Sequence, residues 1–147
     1  MYEKILVPLD GSSRAEAILP HVEELAHCHH SQVIFLSVID PAASLSGLEG
    51  LEMEVNRQLI QEQFDEATAY LAGKEGEFRQ KNIEARSMVR YGAVVNTIIN
   101  IAEEEKVGLI AIASHGRTGL ARIFYGSVAA GILQQVDSPL LVIRARG

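Results

Sequence analysis

Directly after the apolar run Leu109-Ile110-Ala111-Ile112-Ala113, the chain places Ser114, His115, Gly116, Arg117, Thr118 and Gly119. A short apolar run of this kind reads as a buried strand. A second apolar segment, Val128 to Val136, follows Gly126-Ser127 and is long enough for a helix. Strand, glycine-bearing loop and helix N-terminus are the parts from which α/β proteins build phosphate sites. Free N–H groups and the positive end of the helix dipole face the anion, and glycine lets the main chain come close. Arg117 and Arg122 add positive charge in a chain whose formal net charge is -6. The bland alternative for the same residues is a glycine-rich surface turn without a ligand.

Asp10 closes the apolar stretch Lys4 to Leu9. A carboxylate at the C-terminal end of a central strand stands where open α/β sheets bind ligands. It can accept a ribose hydroxyl or hold a metal through water, and it can equally bond its own backbone in a turn. His115 has no orienting carboxylate near it in sequence, so no catalytic residue is assigned. His27-Cys28-His29-His30 has a metal site's composition without its spacing. Only residues three or four apart share a helix face, which leaves His27 and His30 as a pair with no acidic or cysteine partner nearby in sequence, so no metal centre is expected, and Cys28 reads as a small core residue. The acids Glu52, Glu54, Glu62, Asp65 and Glu66 read as a solvated helix face.

The elements that must position these groups alternate regularly. Lys4 to Leu9 is apolar on both faces, as suits a central parallel strand, and Pro8 should end its ladder. After the turn Asp10-Gly11-Ser12, Ser13 with Glu16 forms a capping box. One helix then runs to about His29, bent by Pro20. Gln32 to Ile39 is the second strand, ended by Asp40-Pro41, and the small residues from Ala42 to Gly47 suit a loop at the ligand end. A long helix covers about Leu51 to Gln80, with Gly73 and Gly76 loosening its last third. In Ile83 to Tyr91, apolar positions alternate with Glu84, Arg86 and Arg90, the pattern of an edge strand. A helix over Gly92 to Lys106 and a final strand from Pro139 to Arg144 complete the series.

Five such alternations predict a single α/β domain over residues 1–147. The expected architecture is a doubly wound, five-stranded parallel sheet in the order 3-2-1-4-5, with helices on both faces. Strands one and four are then neighbours, and the reversal of winding between them opens a crevice shared by Asp10 and the 113–127 loop. The last strand falls at an edge. Leu140, Leu141, Val142 and Ile143 are apolar on both faces, which predicts a homodimer across it.

Composition narrows the function. With 48% apolar and 22% charged residues the chain is ordinarily globular. Its acidic balance argues against a nucleic-acid partner. No apolar run approaches the roughly 20 residues of a bilayer span, and the opening MYEKILVPLD has no signal-peptide pattern. A single cysteine cannot form an internal disulfide, so a reducing cytoplasm is expected. Neither G-x4-G-K-[ST] nor G-x-G-x-x-G occurs at the required place, where the chain has DGSSRA. The SGGxDS of pyrophosphatase-type ATP enzymes, the paired acids of phospho-receivers and the G-x-S-x-G of hydrolases are likewise unmatched.

The spacing Ala113-x2-Gly116-x9-Gly126-Ser127 resembles the nucleotide signature of the universal stress protein family, Gly-x2-Gly-x9-Gly-Ser/Thr, with Ala113 in place of the first glycine. KILVPLDGS, VIFLSVID, SHGRTGLARIFYGSV and SPLLVIR extend the likeness along the chain. The resemblance implies a Rossmann-like fold that binds ATP with Mg2+. By that likeness Val38 offers backbone groups to the adenine, and Ile112 and Ala113 line its base or ribose side. Asp10, with Pro8 and Leu9 before it, lies near the ribose. Gly116, Arg117, Gly126, Ser127 and Val128 meet the phosphates, with His115 at the rim. Ala129 falls where some binders carry a hydroxyl. The implied role is a stress-response regulatory module, at most a slow ATPase and often a dimer through the last strand. The methyl of Ala113 implies weakened or altered binding, and the alternative is a nucleotide-free dimeric interaction protein of the same fold.

Overall fold

The computed structural model describes residues 1–44, 53–115 and 127–145, with the backbone alone described at 43, 44 and 115. The strands are β1 (Lys4–Pro8), β2 (Gln32–Ile39), β3 (Glu84–Tyr91), β4 (Leu109–His115) and β5 (Leu140–Ala145). They form one parallel sheet in the order β3-β2-β1-β4-β5, as the alternation predicts. The helices are α1 (Ser13–Glu16), α2 (Leu19–His29), α3 (Pro41–Ser44), α4 (Met53–Gln80), α5 (Val94–Glu104) and α6 (Ser127–Gln135). None among the described residues is long and apolar enough to cross a membrane.

Successive residues of a strand point to opposite faces, so each strand feeds two cores. Ile5 and Val7 pack with Val33, Phe35, Leu71 and Phe78 on the side of α2 and α4. Leu6 packs with Ile34, Ile98, Ile110 and Ile132 on the side of α5 and α6. Phe35 and Phe78 meet edge to face at 4.9 Å, a favourable ring geometry at the centre of the first core. Because both faces are covered, β1 and β2 are continuous apolar runs, whereas the edge strand β3 carries Glu84 and Arg90 into solvent.

Several local expectations are corrected. The helix cap is Ser12, not Ser13: Ser12 is extended (φ -83, ψ 150) and its side chain accepts from the Ala15 N–H at 3.1 Å. No single helix joins Ser13 to His29, because the chain leaves helical pairing after Glu16 and α2 starts afresh at Leu19. Pro20 thereby occupies the first turn of α2, where its missing N–H costs nothing. Cys28 is exposed, because α2 turns Leu19, Val22 and Ala26 to the core and leaves residue 28 off that face. Residues 41–44, expected in a loop, form the one turn of α3, and Asp40 Oδ1 accepts from the Ala42 N–H at 3.0 Å. Helix α4 runs unbroken through Gly73 and Gly76, with Leu71 and Phe78 anchoring it on either side of them. Near its start Val55 is 39% exposed, and Leu51, expected to open this helix, lies outside the described residues.

Candidate functional site

Alternate residues of a parallel strand address opposite neighbours. In β1 the Lys4 carbonyl accepts from the Gly108 N–H on the β4 side (2.9 Å), and the Leu9 N–H donates to the Leu36 carbonyl on the β2 side (2.8 Å). Pro8 belongs to the set facing β4 and has no N–H to give. The β1–β4 register accordingly stops at Ile5–Leu109 and Leu6–Ile110, while β1–β2 continues to Pro8–Leu36 and β4–β5 to His115–Ala145. The sheet opens between β1 and β4 at its C-terminal end. A cavity of about 210 Å³ lies in the opening.

The turn after β1 sets Asp10 at the mouth. Gly11 adopts φ +86, a conformation that side chains disfavour. The chain thereby doubles back, and Asp10 Oδ1 accepts both the Ser12 N–H (2.9 Å) and the Ser12 hydroxyl (2.6 Å). Both sequence readings of Asp10 are therefore compatible: one oxygen holds the turn, while the residue lines the cavity. Ser37, buried in β2, donates to the Leu9 carbonyl at 2.6 Å and pins the start of this turn to the sheet.

Of the residues expected at the site, Pro8, Leu9 and Asp10 line the cavity from β1 and its turn, and Val38 from β2. Ile112 and Ala113 line it from β4, and Ser127 and Val128 from the first turn of α6. The first amides of a helix have no intrahelical partner and carry the positive end of its dipole. His115 closes β4; Gly116, Arg117 and Gly126 lie outside the described residues. The sequence reading did not name Ser12, Arg14 and Ala15, Leu36, Val94 and Ile98, or Ser114 as lining residues, yet they line the same cavity. Leu36 and Ser114 could have been found by counting two positions along a strand from Val38 and Ile112. Arg14 could not, because nothing local shows that α1 folds back toward β4.

A second cavity of about 340 Å³ shares Asp10 and Val38 and extends toward Gln63, Glu66 and Tyr70 of α4. Beside it, Tyr70 donates to Glu16 at 2.6 Å and Lys74 to the other oxygen of Glu16 at 3.0 Å. The Tyr70 bond, reinforced by Lys74, holds the Glu16 carboxyl below its ordinary range. Burial and the same carboxylate push the Tyr70 hydroxyl upward. Among the described residues no group of three or more His, Cys, Asp and Glu is placed to hold a metal. His27 Nε2 instead lies 2.9 Å from the Lys81 carbonyl.

Residues 1–144 match the family model described as the universal stress protein family. The chain belongs to that family. Universal stress protein MJ0577 of Methanocaldococcus jannaschii is 31% identical, with 99% of this chain and 97% of that one covered. Its solved structure has a TM-score of 0.86 at 30% identity, covering 100% of this chain and 99% of that chain. Universal stress protein MJ0531 of the same organism is 29% identical over 98% of this chain and 83% of its own. The universal stress protein from Archaeoglobus fulgidus in complex with dAMP has the same fold, with a TM-score of 0.62 at 21% identity over 97% of this chain and 98% of that one.

Proposed function

We propose that this universal stress protein binds ATP, with Mg2+, across the β1–β4 crevice and serves as a cytoplasmic regulatory module. The observation that carries the reading is that the Asp10 turn and the N-terminus of α6 open into one cavity. A carboxylate suited to a ribose or a hydrated cation thus stands across from free helix amides suited to phosphate. An adenine nucleotide in a relative of the same fold supports the same ligand class. The substitution at Ala113 fits this reading as well. Ala113 packs against the core on the α2 and α4 side, so its methyl is turned away from α6, whose Ala129 and Ile132 belong to the opposite core. No general base is assigned, and the reading is of binding rather than turnover.

The same proposal makes the chain a homodimer through β5. That strand pairs with β4 on one side, and Leu140, Leu141, Val142 and Ile143 remain partly exposed. Light scattering should give twice the mass of one chain, and a monomer at micromolar concentration would refute the pairing.

Nucleotide released by heating the purified protein, followed by calorimetric titration with ATP-Mg, tests the ligand. Bound adenine nucleotide or micromolar affinity is the expected result. Neither released nucleotide nor binding heat would leave the interaction-protein reading in its place.

A further inference from the structure

Helix α1 forms part of the crevice wall. Its cap Ser12 and its residues Arg14 and Ala15 line the cavity that Asp10, Ala113 and Ser127 also line. It is a single turn of four residues, and none of them is buried. A helix of that length is not stable on its own, because nucleation is costly and few bonds repay it. The chain is fixed on either side, by the Asp10 bonds to Ser12 before it and by fully buried Ile18 after it. Between those points, among the described residues, Glu16 is the one member of α1 whose side chain bonds to another element.

The two oxygens of Glu16 take two donors from α4. Oε2 accepts from the Tyr70 hydroxyl at 2.6 Å, and Oε1 accepts from the Lys74 ammonium at 3.0 Å. An ionised acceptor makes both bonds stronger than neutral ones. The Lys74 side chain is only 15% exposed, so water and salt screen this pair less than a surface pair. Helix α4 is anchored by buried Leu71 and Phe78, so Tyr70 and Lys74 project from a fixed frame. Glu16, Tyr70 and Lys74 are not among the residues that line the crevice cavity. Their influence on a ligand there runs through α1.

We propose that Glu16, Tyr70 and Lys74 are positioning residues that hold α1 in its ligand-ready place and set nucleotide affinity from outside the site. This rests on the nucleotide reading above and deepens it. A site whose wall is in place only part of the time binds with an affinity reduced by that fraction. The bonds to Glu16 keep the fraction near one, so loosening them weakens binding without removing a ligand contact.

Tyr70→Phe removes the hydroxyl and keeps the ring that Lys74 lies over. Arg79→Ala is the comparison: Arg79 bonds Glu75 at 2.6 Å and the Ala85 carbonyl at 3.0 Å, tying the end of α4 to β3. Calorimetry with ATP-Mg, and amide exchange on the ligand-free chain, test the proposal. Tyr70→Phe should lower ATP affinity about three- to tenfold, and Lys74→Met should act in the same direction. Both should speed exchange of the Glu16, Ala17 and Ile18 amides, which bond back to Ser12, Arg14 and Ala15. Arg79→Ala should lower the melting temperature yet leave ATP affinity and these three amides at their wild-type values. If Tyr70→Phe or Lys74→Met retains wild-type affinity, or Arg79→Ala loses as much, the positioning role is overturned while the nucleotide site stands. A wild-type chain that binds no ATP removes both.

Discussion

The hydroxyl of Tyr70 donates to Glu16 over 2.6 Å and so fastens α4 to the short helix behind the Asp10 turn. Lys74 adds an ion pair to the same carboxylate at 3.0 Å and lies 5.6 Å from the Tyr70 ring centroid. Residues 54 and 58 positions apart thus hold one lip of the crevice to the helix that covers the sheet.

Glu16→Gln should destabilise the protein at neutral pH by about 1 kcal/mol, since the side chain is partly exposed and its partners retain some hydration. The pH dependence has a definite sign. The folded carboxyl ionises below its ordinary value of 4.5, so its contribution is present above that value and is lost as the pH falls through the lowered one. Melting temperatures of wild type and variant should therefore differ most near pH 7 and converge in acid. A gap that stays constant down to pH 3 would contradict the assignment.

Asp10 has two separable roles. Asparagine keeps an oxygen able to accept from the Ser12 N–H and hydroxyl, so Asp10→Asn should melt close to the wild type. It loses the charge, and affinity for ATP-Mg should fall more than affinity for ATP without the metal. Asp10→Ala should lose the turn as well, at about 1 kcal/mol of stability. Denaturation and calorimetry on the two variants separate these effects.

The glycines at the strand ends are predicted to differ in tolerance. At Gly92, φ is +145, and an added Cβ would stand 2.7 Å from Thr97 Oγ1. Gly92→Ala should cost about 2–3 kcal/mol by chemical denaturation, from backbone strain and the clash together. Thr97→Ala in that background should return the part due to the clash. Gly11 has φ +86 with nothing within 4 Å of an added Cβ, so Gly11→Ala should cost only about 1–2 kcal/mol.

Much of this arrangement could be read from local pattern. Apolar runs without alternation marked β1 and β2 as central and charges marked β3 as an edge, whereas the ladder end expected at Pro8 holds on the β4 side alone, since pairing with β2 runs through Pro8. What escaped was tertiary or a choice between equals. Ser12 and Ser13 are adjacent serines, and backbone geometry alone decides which one caps. Glu16 stood at the capping-box spacing from Ser13, but Tyr70 and Lys74 of a distant helix take its oxygens. Pro20 signalled a disturbance, and the chain resolved it by starting a new helix around the proline instead of bending one. Ser114 was quoted as part of a loop, but it lies within β4, where strand alternation turns it toward α6.

The early end of the β1–β4 ladder has a mechanical meaning. Among the described residues, β3-β2-β1 and β4-β5 are two leaves joined along a seam that ends at Leu6 and Ile110. Asp10 and Val38 belong to one leaf, Ala113 and Ser114 to the other, and the cavity rests on both. An occupant would act as a stitch beyond the end of the backbone ladder. Binding would then tighten the two leaves against each other, slowing amide exchange along the seam as well as at the atoms it touches.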